Sequence, residues 1–167
     1  MAEHWENAKH LLETLVMKVE GLDDDGVDLT FTQGTANATN IKGISKIMEK
    51  MSLPEAMPMT GVPTDMIEPL QDIFDDYNLM AQKKSRNILK LKKMTIIVLT
   101  DGIWGNTVDK DGVGRSIVAF VKNLKTLMGR DITDRPVSIE FVQFGNHYDA
   151  TLRLKALDDE LKNAGIP

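Results

Sequence analysis

The chain has 167 residues, 42% hydrophobic and 27% charged, a balance that fits one folded domain spanning residues 1–167 and excludes wholesale disorder. Its net charge of -5 and pI of about 5.2 argue against a generic nucleic-acid binder, because neutralising phosphates takes clustered Lys and Arg. Cysteine is absent, which removes disulfides, thiol catalysis and cysteine-held metal, and no apolar run approaches the ~20 residues of a membrane span.

The polar start, MAEHWENAKH, carries no secretory signal, so a cytoplasmic protein with no membrane partner is expected. Trp5, Ala8, Leu12, Leu15, Val16 and Val19 then recur at helical spacing and predict an amphipathic helix that stops at Gly21. DDDG (residues 23–26) reads as a turn. GVDLTFT (26–32) alternates Val27, Leu29 and Phe31 with polar residues, as a strand does. QGTANATN (33–40) reads as a loop, and Ile44, Ile47, Met48 and Met51 predict a short helix over 41–51.

LPEAMPMTGVPTDM (53–66) reads as a long loop rich in Pro and Met. A helix over 67–77 follows, with Leu70, Ile73, Phe74 and Tyr77 on one side and Pro69 in its first turn, where a missing N–H costs little. The basic stretch KKSRNILKLKK (83–93) precedes MTIIVLT (94–100), a strand apolar on both faces that ends at Asp101-Gly102. A helix over 113–128, a strand over 135–145 and a closing helix over 149–164 complete the chain. Helices alternate with strands, and a mostly parallel, doubly wound α/β sheet flanked by helices is expected.

TGVPTDMIEPLQDIF (60–74), TIIVLTDG (95–102) and the pair IEFVQFGN and ATLRLKALDDEL (139–161) resemble, in this order, the von Willebrand factor A domain family, the last pair being similar to intracellular and fungal-type members. The resemblance covers most of the chain and implies a Rossmann-like fold. It also implies where a metal-ion-dependent adhesion site would lie. Such a site holds Mg²⁺ through oxygen ligands from several loops at the carboxyl ends of the strands.

Asp101 matches the family's strand-end Asp. In Gly61-Val62-Pro63-Thr64, Val62 occupies the position that should supply a hydroxyl, and Thr64 matches the second Thr, which is not the usual ligand. The Asp-x-Ser-x-Ser stretch after the first strand has no counterpart, since only four residues precede Trp5. The expectation is a degenerate site with no cofactor and no metal, Asp101 and Thr64 being remnants, and Mg²⁺ the ion if any. Asp101 then reads as a turn or capping residue. The absent central strand would leave residues 26–32 and 94–100 with open edges. These could close on each other, take a strand from another polypeptide or pair with a second copy, and the last is the preferred expectation.

Met57, Met59, Val62, Thr64, Asp101 and Trp104 are the candidate partner-binding residues. Methionines adapt to varied shapes, and an aromatic beside a loop is a common interface anchor, although both residue types also fill irregular cores. GVGRS (112–116) opens a helix and is at most a weak phosphate signal, lacking the Lys-Ser/Thr of a P-loop. DKDG (109–112) lacks the later ligands of a calcium loop, and the three histidines have no metal spacing. The residues thus point to a non-enzymatic protein-interaction domain. The alternatives are a Mg²⁺-dependent adhesion module completed by another chain or a longer parent protein, and an α/β enzyme or nucleotide binder using Asp101.

Overall fold

A computed structural model describes residues 1–19, 21, 24–62, 64–83, 91–104, 111–128 and 135–166. Most of the basic stretch (84–90), two residues of DKDG (109 and 110) and Pro63 lie outside the described residues. The chain separates into two compact units, Met1–Thr64 and Asp65–Pro167. The architecture is mixed α/β and includes a small parallel sheet flanked by helices.

In the first unit a 3-10 turn (Ala2–His4) leads into helix α1 (Trp5–Val19), which buries Trp5, Ala8 and Val16 of the expected stripe, half-buries Leu12 and Leu15, and leaves Val19 exposed in its last turn. Strands β1 (Val27–Leu29) and β2 (Ala38–Ile41) form an antiparallel hairpin with an irregular register, and helix α2 (Ile44–Met51) follows. Val16, Leu29, Ile41 and Ile47 form the core, and the Trp5 and Phe31 rings lie 6.2 Å apart.

The hairpin corrects the reading of residues 33–40 as loop and of Ile41 as helix. Polar side chains build it. Asp28 Oδ1 accepts from Asn40 N–H at 2.6 Å, and Asn37 Oδ1 accepts from Phe31 N–H at 2.8 Å. Asn40 adopts φ 54, a left-handed conformation that Asn tolerates better than most residues. Ala38, Thr39 and Asn40 before Ile41 give no alternating apolar signal, so periodicity misses the strand.

The second unit begins with helix α3 (Ile67–Lys83), longer than expected because Asn78 and Ala81 continue the buried stripe past Tyr77. Strand β3 (Met94–Thr100), helix α4 (Gly112–Met128), strand β4 (Val137–Gln143) and helix α5 (Tyr148–Asn163) follow. β3 and β4 pair in parallel with unbroken register, Met94 against Val137 through Thr100 against Gln143.

The core joins Leu70, Phe74 and Tyr77 of α3, Ile117, Phe120 and Leu124 of α4, and Leu157 of α5 to Val98 of β3. Met94 and Ile96 of β3 and Val137, Ile139 and Phe141 of β4 pack against it. The strand expected to be buried on both faces is so on one. Val98 and Thr100 are buried, whereas Thr95 and Ile97 on the opposite face are exposed.

Tyr77 ties α3 to the start of both strands. Its hydroxyl donates to Lys92 O at 2.7 Å and lies 3.2 Å from Pro136 O. Burial pushes the phenol up to about 12, so the folded chain keeps the proton over a range in which the unfolded chain loses it. The linked stabilisation is complete below pH ~10 and disappears as pH rises through the folded value. Tyr77→Phe is expected to cost about 1–2 kcal/mol at neutral pH and to remove this alkaline dependence. Urea unfolding on either side of pH ~10 measures both effects.

Candidate functional site

The candidate site lies where β3 ends. The ladder closes with Phe144 N–H donating to Thr100 O at 2.8 Å, and the chain then turns at Gly102, which adopts φ 73. A Cβ on Gly102 would stand 2.7 Å from that of Ala150, so the turn needs glycine for space as well as for backbone angle.

Three side chains lock this turn. Thr100 Oγ1, buried, accepts from Gly102 N–H at 2.9 Å and from the Trp104 indole Nε1–H at 3.1 Å. Asp101 Oδ1 accepts from Ile103 N–H at 3.0 Å, the short-range bond by which Asp favours turns. Arg153 of α5 donates through Nη1 to Gly102 O at 3.0 Å and lies 3.4 Å from Trp104 O. Its guanidinium carbon sits 5.5 Å from the Trp104 ring centroid, within cation–π range. The same ring meets Phe141, tilted by 45°, at 6.1 Å between centroids.

Burial pushes the Asp101 carboxyl up. Favourable interactions with the carboxylate, the Ile103 hydrogen bond among them, outweigh burial and hold its pKa below the usual carboxylate value. The ionised form is therefore favoured by folding. Its stabilising contribution is present above the unfolded pKa and is lost as pH falls through the lowered folded value.

The sequence candidates divide between the two units. In the first, Gln33 organises the loop that carries four of them. Its Oε1 accepts from Met59 N–H at 2.8 Å, and its Nε2 donates to Val62 O at 3.0 Å and to Thr64 Oγ1 at 3.2 Å. Met57, Met59 and Val62 are exposed on this loop. Two neighbouring methionines are buried instead, Met51 in the first unit and Met66 in the second.

In the second unit Asp101 and Trp104 share one turn, and Trp104 is only 4% exposed. This indole fills the core with Val98 and is not presented at the surface. At the start of α4 the Glu160 carboxylate occupies the space beside Gly114, where a phosphate drawn to the GVGRS turn would meet a negative charge.

Arg153 and Thr100 escaped the sequence reading. A signal for Arg153 existed: it falls three residues after Ala150 and four before Leu157, on the buried side of α5. A cation on that side of a helix needs carbonyls or an aromatic face to receive it. Among the described residues, no three His, Asp or Glu side chains converge to hold an ion, and no helix is long and apolar enough to cross a membrane. In comparison with known proteins, no family model, curated protein or solved structure matches the chain.

Proposed function

We propose that the chain is a non-enzymatic, intracellular protein-interaction domain resembling von Willebrand factor A modules, with a degenerate adhesion site that takes no metal. On this reading β3 and β4 belong to a doubly wound, Rossmann-like sheet, and Asp101 stands where that family places its strand-end ligand. The observation that carries the reading is the occupation of Thr100 Oγ1. This hydroxyl next to Asp101 already accepts from Gly102 N–H and the Trp104 indole. A cation binding there would have to displace at least one of these donors, with the Arg153 guanidinium fixed on the same turn at Gly102 O.

The interaction surface is then sought in exposed apolar residues, among them Met57, Met59 and Val62. Calorimetric titration with MgCl₂ tests the metal-free part of the proposal. No site-type isotherm is expected. Micromolar binding at a single site would defeat it in favour of the metal-dependent adhesion module. Thermal stabilisation by one member of a nucleotide panel would favour the enzyme or nucleotide-binder reading instead.

A further inference from the structure

The ladder between β3 and β4 fixes which main-chain groups are left over. Met94 N–H donates to Pro136 O at 2.9 Å and Thr100 O accepts from Phe144 N–H at 2.8 Å. Met94, Ile96, Val98 and Thr100 therefore direct their N–H and C=O groups towards β4. Alternation along the strand turns those of Thr95, Ile97 and Leu99 to the outer edge. Among the described residues no strand pairs there, since this sheet consists of β3 and β4. Thr95 is exposed and Ile97 is 40% exposed. Met94–Thr100 contains no charge and no proline, and its register is free of bulges, so it lacks three of the devices that usually blunt an edge.

We propose that this edge pairs with the same edge of a second copy of the chain, antiparallel about a two-fold axis through Ile97. The inference rests on the interaction-domain reading and names its surface and its partner. The outward set is self-complementary. The axis sets Ile97 opposite Ile97 of the partner subunit and Thr95 opposite Leu99 of the partner subunit, each pair exchanging N–H···O bonds. The side chains of Thr95, Ile97 and Leu99 lie on the face away from the core, so pairing also covers the exposed Ile97 side chain.

The outer edge of β4 behaves differently. Its outward residues Val137, Ile139, Phe141 and Gln143 are centred on Glu140. A two-fold axis there would oppose two Glu140 carboxylates in a closely spaced pair, which is repulsive. An uncharged edge centred on an apolar residue favours its own copy over a partner selected by charge.

Residue-resolved amide hydrogen exchange on the whole chain at low and high concentration, with light scattering on the same samples, tests this. At high concentration a dimeric mass is expected. The Thr95, Ile97 and Leu99 amides should then exchange about tenfold more slowly or better, while Ile96, Val98 and Thr100 are protected at both concentrations. Ile97→Lys should give a monomeric mass, leave Thr95 and Leu99 fast, and keep Ile96 and Val98 protected. Should that variant lose the Ile96 and Val98 protection, the wild-type exchange pattern decides alone.

A monomer at every concentration overturns the proposal, whether the outward amides are fast or slow. A dimer whose outward amides stay fast, or one that survives in folded Ile97→Lys, overturns it as well. These outcomes are separable from a failure of the metal-free reading, which the MgCl₂ isotherm reports and the exchange pattern does not.

Discussion

Gly102→Ala is expected to destabilise the second unit by about 2–5 kcal/mol, the sum of a left-handed backbone penalty of ~1–2 and overpacking of ~1–3. The first part follows from φ 73, and the second from the 2.7 Å separation that a new Cβ would have from Ala150 Cβ. The Ala150 atoms belong to the first turn of α5, so relief requires that helix to move away from the end of β3. Such a shift would also stretch the bond from Arg153 to Gly102 O, coupling the backbone change to the indole beside it. Gly165→Ala is the control. Gly165 adopts a similar φ of 71 with nothing within 4 Å of a Cβ, so only the conformational part remains. Urea unfolding of both variants should separate them by at least ~1 kcal/mol. Equal losses would show that the turn has room to spare.

Phe120→Ala should cost about 3–5 kcal/mol, because the ring is a central packing element between α3 and α4. Phe120 is 3% exposed, stacks on Phe74 at 4.2 Å with an interplanar angle of 6°, and meets Tyr77 edge-on at 6.2 Å. Truncation removes both aromatic contacts and leaves a void. A groove of about 490 Å³ already runs over Phe74 and Phe120, so solvent reaching the void should hold the loss in the lower half of that range. A domain with a total stability of ~5–15 kcal/mol would lose a large fraction of it. Thermal unfolding followed by circular dichroism measures the drop, and an unchanged midpoint would mean that α3 and α4 collapse onto one another without penalty.

The elements were legible wherever burial imposes a period. Trp5, Ala8 and Val16 mark α1, and Ile117, Phe120 and Leu124 mark α4, because a helix with one buried face must repeat its apolar residues. MTIIVLT was legible as β3 from composition, but its burial on one face only was not, since Ile97 is as apolar as Val98 and only the sheet decides which side is covered. β2 was hidden because Asp28 and Asn37 hold the hairpin through side-chain bonds to backbone, which leave no period.

The same distinction runs through the site. Asp101 after an apolar strand is visible in one dimension. The claim of Trp104 and Gly102 on the Thr100 hydroxyl is local in sequence but depends on the left-handed turn. The reach of Arg153 across 51 residues to Gly102 O is a tertiary fact. Resemblance supplied the expectation of a degenerate metal site, whereas the hydrogen bonds of Thr100 are seen only in three dimensions.

The most direct measurement is a Mn²⁺ titration of isotopically labelled protein, following the Gly102 and Ile103 amides and the Trp104 indole N–H by NMR. If Thr100 is committed to the turn, these signals persist while Mn²⁺ rises through the micromolar range, with no saturable paramagnetic broadening centred on Asp101. Saturable loss of these three signals at micromolar Mn²⁺, reversed by Mg²⁺, would contradict the account and place a working divalent site at the end of β3.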